Sequence, residues 1–441
     1  METKTFEGGA HIPHYKSYTE DKSITVMESP DEVIIPMVQH GGAPCEPLVK
    51  SGDKVEMGQK IGDSEEYVSA PVHTSVGGTV KAVEPRPYYD GSMVESVVIE
   101  TDHNNIEFKP EVERNPEEMD VEELKEAIKE AGLVGMGGAA FPTFVNINQS
   151  QPIDTLLLNG AECEPFLTCD HRQMAEQTQQ LIAGAKIIMR IIGANKCYVG
   201  IEVNKPDAIE AVKKAIGDDH SIEVVPLAVK YPQGFKSHLI KAITGRNVPR
   251  GARSAELGCI VRNVGTTIAA YEAVVYGKPL IERVVTVSGP KISKPGNYLI
   301  KIGTPVGFAL QKCGVNLEQL DNHKVIVGGP MTGLAQDNLE VPLIKSNTGL
   351  LVLPPEMIEK ESSYADCVRC GECVSKCPIW LYPNMISTFA EAMMLEEAKS
   401  WNIDDCIECG ICAFSCVANR PIVELIQRAK IEIKKLERQK A

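Results

Sequence analysis

Eight of the fourteen cysteines fall between Cys367 and Cys416, in two runs of the same form. The first is Cys367-x-x-Cys370-x-x-Cys373-x-x-x-Cys377-Pro378, and the second is Cys406-x-x-Cys409-x-x-Cys412-x-x-x-Cys416. Thiolate sulfur is the ligand iron–sulfur clusters prefer. A spacing of two lets three successive cysteines wrap three irons of one cube, and the fourth, set three further on, ligates the other cluster. On that rule cluster one takes Cys367, Cys370, Cys373 and Cys416, and cluster two takes Cys406, Cys409, Cys412 and Cys377. Val417 stands where proline is usual, but proline shapes a turn and supplies no ligand. Structural zinc also binds four thiolates, though generally through paired CxxC ligands. A triplet with an offset fourth cysteine, present twice, reads as two [4Fe–4S] clusters, so the chain moves electrons. The six scattered cysteines read as small core residues.

A second chemical feature is the glycine loop GLVGMGGAAFP at 132–142. Glycines let backbone N–H groups approach a phosphate or a flat ring that side chains would hold off. The loop follows a helix, which is not the strand, GxGxxG, helix order of a standard dinucleotide fingerprint. Beyond it come LLLNGAECEP (156–165), a strand running into an acidic turn, then KYPQG (230–234) and VRNVGTT (261–267). Glu162 and Glu164 are candidates for acid/base work or for orienting a cofactor. His11, His14, His40 and His73 read as hydrogen-bonded structure.

The elements that must hold these residues are legible in outline. Residues 1–110 form short Val/Ile runs broken by Gly, Pro and Asp, which predicts an all-β unit. Within it, LVKSGDKVEMGQKIG followed by SAPVHTSVGGTVKAV resembles the half-repeats of lipoyl and biotinyl carriers, which are barrel-sandwich hybrids. The intervening DSEEYVS has no carrier lysine, so the expected role is docking or scaffolding. Over 111–282, a helix capped by Asp120 is followed by strand-like runs at 155–158, 196–202 and 222–227 that alternate with helical patterns, predicting an α/β layer fold. Residues 283–355 read as a small mixed unit, and 356–441 as a helical domain around the cysteines.

The 441 residues carry a net charge of −15, which argues against nucleic acid as a partner. No stretch approaches the roughly 18 apolar residues of a membrane span. The opening METKTFEGGAHIPHYKS has no apolar signal core, so the chain is expected inside the cell.

GMGGAAFPT, NGAECEP, YPQG and RNVGT occur in the same order in the flavin-carrying, NADH-oxidising subunit of respiratory complex I. With FEGGAHIPHYKS, IPMVQHGGAPCEPLVKSGDKV and the paired cysteine runs, the whole chain resembles still more closely the C-subunit family of the Rnf ferredoxin:NAD oxidoreductases. The resemblance implies FMN on the glycine loop with NAD(H) stacked on it. It identifies 283–355 as a soluble-ligand-binding β-grasp (SLBB-like) domain and 356–441 as a helical two-cluster ferredoxin domain. By motif, Gly135, Gly137 and Gly138 approach the flavin and nucleotide, with Tyr231 and Gly234 in the same site. Asn159 and Glu162 hold flavin polar groups, and Asn263 and Thr266 meet its phosphate or ribityl chain. Phe141 stacks on the adenine side, and Glu164 faces the nicotinamide. Two positions depart from the family pattern: Asn146 replaces a lysine after FPT, and Phe235-Lys236 replaces a glycine and a glutamate after YPQG. The implied partners are other Rnf-type subunits, both integral membrane ones and an iron–sulfur subunit that accepts electrons from ferredoxin. The implied location is the cytoplasmic face of the membrane. Two alternatives use the same parts: a soluble reductase for a cobalamin or amino-acid reductase system, and a relay whose flavin site is dead.

Overall fold

The computed structural model describes residues 3–104, 107–110, 113–358 and 364–440. The expected boundary at 110/111 falls beside residues 111–112, which lie outside the described set.

The first layer is the β hybrid. Strands Glu32–Pro36, Met93–Thr101, Gly78–Pro87 and Lys54–Val55 make one sheet, and Glu46–Pro47, Lys60–Asp63 and Val72–His73 a second. Alternate residues point inward, so Val33, Ile35, Val97 and Ile99 meet Ile61 and Val72 in the core between them. Ahead of this unit, residues 3–26 serve other layers. Lys4 bridges Leu227, Ala10 bridges Tyr231, and Ile24–Val26 adds a parallel edge strand beside Gly296–Lys301.

The α/β layer is a parallel sheet in the spatial order Ile222–Leu227, Lys196–Glu202, Thr155–Gly160, Cys259–Asn263. By chain order this is 3-2-1-4, the doubly wound arrangement in which ligands sit beyond the strand C-termini where the order reverses. Both faces of the first strand are covered, which is why it reads as an unbroken apolar run. Leu156 and Leu158 bury into one helical layer and Leu157 into the other. The glycine loop precedes the first strand instead of following it, so the strand order is familiar while the fingerprint is displaced.

Helix Val121–Glu130 opens with a capping box between Asp120 and Glu123 and ends at Ala131, just before that loop. After the first strand come two helices, Cys169–Glu176 and Thr178–Ile192, broken at Gln177.

Strands Glu282–Ser288, Gly296–Lys301, Lys324–Val327, Leu334–Ala335 and Gly349–Leu353 join Ile24–Val26 in the β-grasp sheet, which packs on helix Val306–Lys312. The C-terminal domain is helical, and Ile422–Lys440 is its long element. Between the cysteine runs lie two helices, Pro383–Glu391 and Leu395–Ser400, parted where Met393 takes φ 55°.

Candidate redox site

The cysteine runs fold as two copies of one turn. Arg369 and Glu408 take φ 58° and 55°, Gly371 and Gly410 follow at 81° and 82°, and a one-turn helix opens after each. The fourth cysteine of each run accepts a backbone N–H bond: Leu381 N–H to Cys377 Sγ at 3.3 Å and Arg420 N–H to Cys416 Sγ at 3.5 Å. Replacing proline by Val417 leaves this geometry intact.

Cys367, Cys370, Cys373 and Cys416 line a single cavity with Asn384 and Ser387. Cys406, Cys409, Cys412 and Cys377 form the other group. Burial pushes the Cys409 thiol up to about 11, and the nearness of Cys406 and Cys377 adds to it; Cys412 is raised by burial first and then by Cys406, Cys409 and Cys377. Thiols crowded this way repel as thiolates, and a bound cationic cluster relieves that repulsion. The donor sets thus suit two [4Fe–4S] clusters.

The flavin-motif residues gather at the C-terminal edge of the parallel sheet. Asn159 and Asn263 are register partners at the ends of adjacent strands, where the strand order reverses. Asn159 donates through Nδ2 to the Gly234 carbonyl at 2.8 Å and joins the first strand to the YPQG turn. A Cβ on Gly234 would lie 2.4 Å from the Ala161 oxygen, so glycine is required there.

Asn263 caps helix Val264–Tyr276, accepting from Gly265 N–H at 2.8 Å, and donates to Asp170 Oδ2 at 2.7 Å. The glycine loop lies over this helix start, with Met136 N–H donating to Thr266 Oγ1 at 2.8 Å and Gly137 facing the Asn263 side chain. A Cβ on Gly138 (φ 103°) would meet nothing within 4 Å among the described residues, which leaves its peptide open to a ligand. Phe141, beside the loop, is exposed.

Other motif residues are committed to protein partners. Glu162 is buried and caps helix Cys169–Glu176: Oε1 accepts from Asp170 N–H at 2.9 Å and Oε2 from His171 N–H at 3.2 Å. Glu164 accepts from Met331 N–H at 3.1 Å and from Thr332 Oγ1 at 2.5 Å, both on a β-grasp turn. Burial raises the Glu164 carboxyl, against the pull of those bonds. Tyr231 is buried, its hydroxyl raised by burial and then by Glu164.

The sequence reading missed Asp170, which burial and Glu162 raise to about 7. It also missed the N-terminal arm: Lys16 Nζ donates to the carbonyls of Glu164 (3.0 Å) and Leu167 (2.5 Å), holding the acidic turn. No helical spacing could reveal a contact between residues about 150 positions apart.

Residues 4–104 match the RnfC barrel sandwich hybrid domain and 128–272 the Nuo51 FMN-binding domain. Residues 284–335 match the SLBB domain and 359–419 a 4Fe-4S dicluster domain. The C subunit of the Na(+)-translocating ferredoxin:NAD(+) oxidoreductase complex of Acetobacterium woodii is 44% identical over 432 residues, 97% of each chain. The proton-translocating counterpart of Clostridium ljungdahlii is 44% identical over 97% of this chain and 94% of its own. This chain belongs to their family of oxidoreductase-complex C subunits. A Rhodobacter capsulatus member, from an ion-translocating oxidoreductase complex, is 39% identical over 98% of this chain and 83% of its own. Among solved structures, an NAD+-reducing [NiFe]-hydrogenase chain shares the fold at TM-score 0.52 and 20% identity, covering 75% of this chain and 68% of that one. No helix among the described residues is long and apolar enough to cross a membrane.

Proposed function

We propose that this protein is the pyridine-nucleotide end of a ferredoxin:NAD oxidoreductase complex. It would lie on the cytoplasmic face and exchange electrons with membrane subunits that move the ion. The observation that carries the reading is the convergence of the glycine loop, the Asn159–Asn263 pair and the acidic turn at one sheet edge, with a cysteine quartet packed against that turn. Bound FMN would supply two-electron exchange with NAD(H) and one-electron exchange with the clusters. Gly135, Gly137 and Gly138 would seat the flavin, and Asn159 and Asn263 would orient its polar edge. Glu162 and Thr266 would act as supports, because their polar atoms are already engaged. Phe141 offers an open ring to stack on the nucleotide, and Glu164 with Tyr231 would close the nicotinamide side. In each quartet the cysteines assigned from spacing are the proposed iron ligands.

The two quartets stand in order. Ala10, Ile12, Tyr231 and Ile411 form a small core with Cys163, Met331 and Cys409, so the Cys406 group abuts the acidic turn. The Cys367 group faces outward, with Cys367 and Cys370 exposed. Electrons would therefore cross the inner group before the outer one, which would serve the partner subunits. Relatives named for sodium and for protons are equally similar to this chain, which supports assigning ion choice to other subunits.

Anaerobically purified chain should hold about eight irons and one FMN, and NADH should bring up cluster signals by EPR. Eight irons without flavin or NADH response would reject the dehydrogenase role and leave a relay.

A further inference from the structure

Seven lysines and arginines are buried among the described residues, and six have a close partner. Lys205 pairs with Glu202 at 2.7 Å, Lys301 with Glu282 at 2.6 Å, and Arg420 with Glu391. Lys345 donates to the Pro71 and Gly132 carbonyls at 2.8 Å, Arg283 to Lys345 O at 2.5 Å, and Lys16 to Leu167 O at 2.5 Å. The seventh, Arg262, has only the Val261 and Thr143 carbonyls, each at 3.5 Å, the outer limit of a hydrogen bond. Its Nε is buried with no partner, and no carboxylate among the described residues forms an ion pair with it. Burial alone lowers the guanidinium, with no acidic neighbour to offset it. A buried cation in that state calls for an anion.

The place of Arg262 indicates which anion. It precedes Asn263 on the last strand and reaches toward Thr143, which closes the FPT of the glycine loop. One turn on, Asn146 stands where the family pattern has lysine, and its Oδ1 is buried without a partner. On the other side, exposed Lys236 opens helix Lys236–Thr244. Although the residue has an exposed surface, the protein packed around its ammonium partly desolvates it and so disfavours the charge, and Arg262 adds to this, which sets the two cations near each other. Two cations and a helix start, with no carboxylate among the described residues paired to either cation, make a site for a dianion. A guanidinium fork matches phosphate oxygens two at a time.

We infer that Arg262, assisted by Lys236, receives the phosphate of the flavin nucleotide and replaces the lysine absent at position 146. The inference rests on the flavin reading above and adds which residues of this chain carry the charge. The competing role is a hook from strand to loop through the Thr143 carbonyl.

The test uses full-length chain with its clusters, stripped of flavin, and measures binding of FMN and of riboflavin, which lacks the phosphate. Wild type should prefer FMN. Arg262→Gln should weaken FMN about ten- to hundredfold and leave riboflavin unchanged, collapsing the preference. Adding Asn146→Lys to Arg262→Gln should restore it, and Lys236→Gln alone should cost a few-fold. Flavin-free Arg262→Gln should melt no lower than wild type, since an uncompensated charge has gone. An Arg262→Gln chain that keeps the wild-type FMN preference overturns the inference and leaves the flavin reading standing, as does a wild type that binds both flavins equally. A wild type that binds neither flavin removes the reading and the inference together.

Discussion

The two cysteine quartets share a sequence pattern, a left-handed turn and an N–H···S bond, yet they occupy opposite environments. The outer group opens its cavity to the surface, with Cys367 and Cys370 exposed and Val368 and Val417 uncovered beside them. In the inner group no cysteine is exposed. Gly9 N–H of the N-terminal arm donates to Lys376 O at 3.1 Å, and Gly410 packs so close to the Met331 carbonyl that a Cβ would lie 2.8 Å from it. One local fold was thus placed twice, and long-range packing gave each copy different surroundings. Ligand spacing specifies a cluster, whereas its role depends on what covers it.

Removing one quartet at a time should separate their roles most strongly. Cys409→Ala should lose about four of eight irons and abolish NADH-driven reduction of the remaining cluster, because the link to the acidic turn is gone. Cys370→Ala should lose the same iron, yet leave NADH able to reduce the inner cluster. Iron analysis with an NADH titration followed by EPR reads both. NADH reduction surviving equally in the two variants would show that the quartets work in parallel.

A smaller effect is a split in potential. Reduction adds negative charge to a thiolate cluster, and burial disfavours that charge. The inner cluster should therefore titrate below the outer one, by on the order of 100 mV within the range of more than a volt such clusters span. Potentiometric EPR titration measures the gap. Midpoints in the opposite order would mean that hydrogen bonds to the inner sulfurs outweigh burial.

The sequence carried unequal amounts of this. The cysteines are grouped by separations of three and four residues, so the two candidate quartets could be listed from the sequence, whereas the left-handed turn that presents each one came from the structure. The α/β layer was legible because strand-like runs alternate with helical patterns, while the covering of LLL at 156–158 on both faces came from the structure. The break at Met393 was not, since no glycine marks a left-handed residue there. The candidate flavin edge assembles from segments around 135, 160, 232 and 263, and motif order named these candidates without saying which side chains are free. Glu162 and Thr266 belong to the motifs, yet they spend their polar atoms on a helix cap and on the glycine loop. Arg262 drew no notice because an arginine in a strand is ordinary until its partners are counted.

The smallest predicted effect isolates one charge at the inner quartet. Lys430 on the C-terminal helix donates to the Cys406 carbonyl at 2.6 Å and to Glu408 at 2.7 Å, and its side chain is mostly covered. A cation held there favours the reduced, more negative cluster. Lys430→Met should lower the inner midpoint by about 30–60 mV, as one partly screened charge several ångströms away would. The outer midpoint should stay in place. Glu408 also loses its partner in that variant, so adding Glu408→Gln should recover part of the shift. Gln427 Nε2 still reaches Glu408 at 3.0 Å in wild type and steadies that side chain. Equal shifts at both clusters would show that Lys430 acts through the fold of the domain instead of through its charge.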